Sequence, residues 1–215
     1  DKTVEFLETI NHRKFHKDYG GVIPEMAARQ HLEILDKLGK SIKKINFSKI
    51  SAIAATFGPG LIGGLIVGSS FAKGLSISKN IKLIPINHLQ AHLLSPRLVS
   101  EIKFPYLCLL VSGGNTALVL VESSNSFITL GSTIDDSAGE CFDKVAKGLG
   151  LGYPGGPEIE RLAKGGDIEK FNLPIPLIKK NNCEFSFSGL KTSALHLIKN
   201  NKKTKVFLRD FSASF

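Results

Sequence analysis

From Ile50 to Ala72 the chain carries no charged residue, a run long enough to raise the question of a bilayer span. Its interior argues against one. Ile50–Thr56 reads as a buried strand, Gly58-Pro59-Gly60 breaks the chain, and a helix resumes over 61–77. Gly60, Gly64 and Gly68 recur every fourth residue, so they are expected to line one face and let the helix press closely on a sheet or partner helix. Strand, break and close-packed helix point to an α/β fold with no membrane segment.

The flanking sequence extends that pattern. Residues 1–17 read as a surface helix, Tyr19-Gly20-Gly21 as a turn, and Pro24 as the start of a helix to about Leu38. The stretch from Gly39 to Lys49 reads as a basic loop or helix end, Lys82–Ile86 as a strand and His88–Ser95 as the helix after it. Tyr106–Ser112 and Thr116–Glu122 are β-rich runs across Gly113-Gly114-Asn115, a hairpin signal. Ser137-x-x-Glu140 reads as a capping box opening a helix to about Leu149. Pro157 is expected at the first position of a helix ending at Ala163, Phe185–Phe187 as a short strand, and Ser188 as the cap of a helix over 189–200. The class is α/β with at least one mixed sheet. A boundary is expected near 95–105, where Pro96 and Pro105 bracket a polar stretch, dividing a 1–100 region from a 101–215 region.

Charge bears on the partner. The net +9 fits a polyanion such as nucleic acid, although lysines in Asn/Ile-rich stretches (Lys37, Lys40, Lys43, Lys44, Lys49; Lys199, Lys202, Lys203, Lys205) are equally read as compositional drift. Cys108, Cys141 and Cys183 are odd in number and far apart, which excludes a disulfide framework and fits a reducing compartment.

Three places carry chemistry. His88-Leu-Gln-Ala-His92 puts two imidazoles at i and i+4 on one helix face, within reach of one metal ion. A zinc protease of the H-E-x-x-H type has its general base where this chain has Leu89, so the pair reads as holding a ligand rather than hydrolysing peptides. The Leu110-Val-Ser-Gly-Gly-Asn-Thr116 turn and the Gly155-Gly156-Pro157 helix start offer bare backbone to anionic or hydroxyl groups. Each also reads as an ordinary turn. Asp136, Glu140 and Asp143 read as a carboxylate stripe on one helix, flanked by Lys144 and Lys147. Lys191, in a first helical turn against the dipole, calls for a neutralising anion. His12, His16, His31 and His196 show no distinguishing spacing, and His31 reads as structural.

Seven motifs, in order, resemble one family: Tyr19-Gly-Gly-Val-Ile-Pro-Glu-Met-Ala-Ala-Arg-Gln-His31, Phe57-Gly-Pro-Gly-Leu61, His88-Leu-Gln-Ala-His92, Leu110-Val-Ser-Gly-Gly-Asn-Thr116, Asp135-Asp-Ser-Ala-Gly-Glu-Cys-Phe-Asp-Lys144, Tyr153-Pro-Gly-Gly156 and Phe185-Ser-Phe-Ser-Gly-Leu-Lys191. The resemblance is to the TsaD family (formerly Gcp), the tRNA N6-adenosine threonylcarbamoyltransferases. It implies an actin/Hsp70/sugar-kinase-like fold of two lobes, with mixed sheets flanked by helices. It implies a cytoplasmic enzyme moving a threonylcarbamoyl group from threonylcarbamoyl-AMP to N6 of adenosine 37 in tRNAs reading ANN codons, with TsaB- and TsaE-type protein partners in bacteria. By the same resemblance His88 and His92 would bind one iron or zinc ion, and Leu110, Val111, Ser112, Gly113, Gly114, Asp143, Gly156 and Glu160 would contact the adenylate.

The chain departs from the family at both ends. The family's opening I-E-S-S-C-D-x-T strand is missing before Asp1, and the substrate-binding asparagine and metal-binding aspartate would follow Phe215. The expectation is therefore a portion of a longer protein, incomplete in both regions and inactive alone. A non-catalytic nucleotide-binding assembly partner, a metalloprotease and a sugar kinase or ATPase of the same superfamily are the competing readings. The histidine pair disfavours the first and last, and Leu89 the protease.

Overall fold

The computed structural model describes residues 3–10, 23–42 and 45–215. The expected turn at Tyr19-Gly20-Gly21, with His12 and His16, lies outside the described residues, as do Lys43 and Lys44. Residues 3–10 contain neither helix nor strand, which corrects the expected helix there. Val4, Phe6 and Leu7 stay exposed, and a short segment that buries so little apolar surface gains too little to offset nucleation. The chain divides into two compact units, Asp1–Glu101 and Ile102–Phe215.

In the first unit α1 (Pro24–Ile42) begins at its proline and runs a turn beyond the expected end. Gly39 does not adopt the positive φ that terminates helices, so the helix continues through it. A 3-10 turn at Phe47–Lys49 leads to β1 (Ala52–Gly58), then α2 (Ile62–Lys79), then β2 (Lys82–Asn87), which pairs in parallel with β1 from Ala52↔Lys82 to Thr56↔Ile86. Pro85 is tolerated because, among the described residues, β2 has a partner strand on one side only. The helix α2 packs on β1 and against α1. The closest approach runs through Gly63 rather than the expected Gly60/Gly64/Gly68 stripe. A Cβ on Gly63 would lie 2.9 Å from the Ala28 Cβ, whereas Gly68 faces open space and Gly60 precedes the helix. Asn80 ends α2 in the left-handed region (φ 53°), its N–H donating to Ile77 O. The helix α3 (His88–Leu94) follows β2 directly and tightens into a 3-10 turn at Ser95–Leu98.

The second unit opens on the expected hairpin, β3 (Tyr106–Val111) antiparallel to β4 (Thr116–Val121). A third strand, β5 (Phe127–Ser132), adds to β4. Then come α4 (Ala138–Leu149), α5 (Gly155–Ala163), α6 (Ser188–Asn200) and α7 (Lys205–Ser214). The expected strand at Phe185–Phe187 is only a single parallel bridge, Thr133↔Phe185. The core is helical: Cys141, Val145, Ala146 and Leu149 of α4 meet Ile159, Ala194, Ile198, Phe207 and Phe211. Phe207 and Phe211 on α7 and Phe215 at its C-cap recur every four residues and stack, with ring centroids 5.5 and 6.1 Å apart. One parallel pair and one antiparallel sheet make the chain α/β, and neither sheet among the described residues is itself mixed, which corrects the expected mixed sheet. No helix among the described residues is long and apolar enough to cross a membrane.

Candidate functional site

The glycine turn between β3 and β4 is held from two sides. Ser112 N–H donates to Asn115 O (2.8 Å), and Asn115 N–H donates back to Ser112 Oγ (3.0 Å). Below it lies the N-terminus of α4. Ser137 Oγ donates to Gly113 O (2.8 Å), Ala138 N–H to Thr116 Oγ1 (2.9 Å) and Gly139 N–H to Ser112 O (3.3 Å). Ser137 Oγ also accepts from Glu140 N–H (3.2 Å), and Ser137 O from Cys141 N–H (2.9 Å). The N–H groups of Ala138, Gly139 and Glu140, which a helix start leaves without intrahelical partners, are thus all used within the protein. This N-terminus is a mount for the turn and not an anion site. Only half the capping box forms, since the Glu140 carboxylate turns to Lys144 Nζ at 2.8 Å.

The mount works because residue 139 is glycine. A Cβ there would sit 2.6 Å from Ser112 O and 2.7 Å from Gly113 Cα. Gly113 and Gly114 themselves are exposed, with nothing within 4 Å of a Cβ on either, so a ligand can reach their backbone from solvent. Leu110 points into the unit (8% exposed) and could meet a ligand only through its backbone, whereas Val111 and half-buried Ser112 face outward.

A second glycine start lies beside α4. Gly155 N–H donates to Asp143 Oδ1 (2.7 Å), and a Cβ on Gly155 would strike Phe142 O and the Ala146 methyl. This corrects the position of Pro157: α5 begins at Gly155, so the proline is its third residue, where its missing N–H is still one of the unpaired set. Gly156 faces open space, and Glu160, four residues on, shares its side of the helix and is exposed. Asp143, Gly156 and Glu160 are therefore neighbours about the α5 start. Asp143 also lies one turn beyond Gly139 on α4, on the face that seats the glycine turn.

Asp135 and Asp136 fasten the start of α6. The Asp135 carboxylate accepts from Ser186 Oγ (2.5 Å), Phe187 N–H (2.7 Å) and Ser188 N–H (3.3 Å). Burial works to raise its pKa, and these bonds outweigh burial and hold it below the usual carboxylate range. Asp136 accepts from Lys144 Nζ (2.7 Å), Ser188 Oγ (3.2 Å) and the Lys191 ammonium. Two expectations change here. Asp136 precedes the cap and is not part of a helical stripe, and the anion that Lys191 calls for is this carboxylate. Ser188 is the first residue of α6, not its cap, because its hydroxyl is turned to Asp136.

The hydrogen bonds from Lys144 and then Lys191 lower the Asp136 pKa to about 2. A carboxylate depressed in the folded state adds stability that is complete above its unfolded pKa of about 3.9 and is lost as pH falls towards the folded value. Asp136→Asn is expected to cost about 1–2 kcal/mol at neutral pH. In urea unfolding the gap from the parent should shrink steadily between roughly pH 4 and pH 2. A pH-independent gap would remove the carboxylate charge as the cause.

In the first unit Asn87 caps α3, its Oδ1 accepting from Leu89 N–H (2.9 Å) and Gln90 N–H (3.2 Å). That cap places His88 and His92 on one exposed face with Nε2 atoms 3.2 Å apart and ring centroids 4.5 Å apart. The implied iron or zinc ion fits the pair. With metal–nitrogen bonds of about 2.0–2.1 Å, 3.2 Å corresponds to a nitrogen–metal–nitrogen angle of roughly 100°, near tetrahedral. The same separation also permits an N–H···N bond between neutral rings. Among the described residues no group of three His, Cys, Asp or Glu side chains could hold a metal ion, so the pair supplies two donors. A cleft of about 500 Å³ runs between the Gly58-Pro59-Gly60 turn and α2, lined by both His31 and His88. His31 donates from Nδ1 to Ala27 O (2.5 Å), which fixes its tautomer and its place in that wall. Its single-turn spacing from Ala27 carries no sequence signal for a cleft residue.

Neither Cys108 nor Cys141 is an activated nucleophile. Burial pushes Cys141 up to about 11, and burial likewise raises Cys108.

Residues 5–215 match the family described as TsaD: tRNA N6-adenosine threonylcarbamoyltransferase. A protein of that name from Wolbachia pipientis wMel is 49% identical over 218 residues, spanning 100% of this chain and 65% of its own length. One from Rickettsia rickettsii (strain Sheila Smith) is 51% identical over 210 residues, 96% of this chain and 61% of its own. One from Thermosipho africanus (strain TCF52B) is 48% identical over 204 residues, 93% and 62%. The chain thus spans a little under two thirds of the length of these curated relatives.

Proposed function

The chain belongs to the TsaD family, tRNA N6-adenosine threonylcarbamoyltransferase, and from that premise we propose that its full-length protein moves a threonylcarbamoyl group from threonylcarbamoyl-AMP to N6 of adenosine 37 in tRNAs reading ANN codons. The observation that carries this reading is a match running through every motif of the candidate site at about half identity. The proposal includes an actin/Hsp70/sugar-kinase-like two-lobed fold, a cytoplasmic setting, and TsaB- and TsaE-type partners.

In this reading the adenylate lies against the backbone of Leu110–Gly114, which α4 holds in place before substrate arrives. Such preorganised backbone costs no rearrangement during reaction. Asp143 has committed one oxygen to Gly155 N–H. The proposal assigns the other, and the Glu160 carboxylate, to ribose hydroxyls above the open backbone of Gly156. His88 and His92 would hold an iron or zinc ion, which supplies Lewis acidity towards the acyl end when bound. The attacking atom is the adenosine amine. The protein's part is to align it with the carbonyl and exclude water, and positioning of that kind can supply several kcal/mol of the barrier (about 7–11 at best).

The test is a transfer assay with full-length protein, its partners, threonylcarbamoyl-AMP and unmodified tRNA. Nucleoside analysis is expected to show the modified adenosine at position 37. Its absence under conditions where a Wolbachia or Rickettsia relative succeeds would end this reading.

A further inference from the structure

From Phe185 to Arg209 the chain has Lys191, Lys199, Lys202, Lys203, Lys205 and Arg209 and no acidic residue. Two of these charges are answered internally, Lys191 by Asp136 and Arg209 by Asp210 (2.9 Å). The other four are exposed in or beside the short link between α6 and α7. None of the four joins an ion pair among the described residues. Lys203 Nζ donates to Gly148 O (2.7 Å), which draws the link onto the C-terminal end of α4 beside exposed Lys147.

The placement of these charges separates a built surface from compositional drift. Lys199 and Lys203 lie at helix C-termini, where cations are favoured. Lys202 and Lys205 lie at the N-terminus of α7, whose first turn holds no acid to offset its dipole. Here like charges crowd one another, and the positive end of the α7 dipole adds to Lys202 and Lys205. Such a concentration is unfavourable in the free protein and becomes favourable against a polyanion. Asn200, Asn201 and Thr204, interleaved with the lysines, are polar groups suited to phosphate and ribose oxygens. The helix α4, 12 residues and so about 18 Å long, carries the glycine turn at one end and this patch at the other. One RNA stem can span that separation.

We propose that Lys199, Lys202, Lys203 and Lys205, with Lys147, form the surface that takes the phosphodiester backbone of the tRNA substrate; this rests on the transferase reading. The test is filter binding of unmodified tRNA to the full-length protein with its partners, across a salt series. The variant Lys199→Ala/Lys202→Ala/Lys205→Ala keeps Lys203 and its bond to Gly148, so it should fold. It is expected to bind tRNA about tenfold or more weakly at low salt, with a log–log salt slope shallower by roughly two to three. Its AMP affinity should match the parent. The companion Lys37→Ala/Lys49→Ala/Lys82→Ala should leave tRNA affinity and slope unchanged. Unchanged binding in the first variant, or an equal loss in the companion, would overturn the proposal. So would a loss of binding to phosphatidylserine vesicles with tRNA binding intact. The transfer assay on the parent protein reports separately: failure there strikes the transferase reading, whereas an active parent with an unaffected triple variant strikes only the patch.

Discussion

Gly139→Ala is expected to lose both stability and nucleotide affinity, although it adds one methyl group on a helix. The methyl has to enter space held by Ser112 O and Gly113 Cα, at 2.6 and 2.7 Å. Both are backbone atoms, so neither can swing aside as a side-chain tip would. Either the turn lifts from α4 or the first turn of α4 unwinds. Lifting stretches the Gly139 N–H bond to Ser112 O and the Ser137 Oγ bond to Gly113 O together. Overpacking of this kind costs on the order of 1–3 kcal/mol, read as a lower urea midpoint at unchanged slope. Titration with AMP should show weaker binding at a temperature where the variant is still fully folded. Gly156→Ala is the contrast, because open space surrounds that Cβ. It should unfold with the parent, and any loss of AMP affinity there reports contact with the ligand itself. If Gly139→Ala bound AMP as the parent does, the seating of the turn on α4 would have no part in the site.

The sequence was legible wherever a local rule decided the structure. The Gly58-Pro59-Gly60 break, the β3–β4 hairpin and the Ser137 cap of α4 depend on φ preferences and hydrogen bonds within a few residues. The helix α7 had such a signal, a Thr204 cap followed by phenylalanines at four-residue spacing, and it passed unread behind the lysine-rich link. Strand β5 was harder. Its segment is half exposed and takes its identity from pairing with β4, a contact that no local pattern encodes. Phe185–Phe187 shows the opposite error: aromatic residues favour a strand, but bonds to Asp135 claim the backbone there and leave one bridge. The candidate site divides along the same line. The i, i+4 histidines and the exposed glycines could be read directly. The role of Asp136 could not, because Lys191 lies 55 residues away from it and only the fold brings them together.

On the proposed reading, His88→Ala or His92→Ala in the full-length protein is expected to remove the metal ion that the pair would hold and, with it, threonylcarbamoyl transfer, while leaving the fold in place. Both rings are exposed, and α3 is started by the Asn87 side chain, which neither change touches. Unfolding free energy should therefore stay within about 0.5 kcal/mol of the parent, as for other surface substitutions. Metal affinity should fall by more than about 100-fold, since substitutions outside the ligand shell already cost 10–100-fold. The sharper reading comes from the double variant. If both Nε2 atoms, 3.2 Å apart, serve one ion, then either substitution alone already removes most of the site. The double variant should then be scarcely worse than either single one, in metal content and in transfer rate. Two independent losses that multiply would instead assign the rings to separate tasks, and the 3.2 Å separation would belong to a hydrogen bond between neutral imidazoles. Metal analysis of the three purified variants, beside their transfer rates, decides between one shared ion and two separate roles.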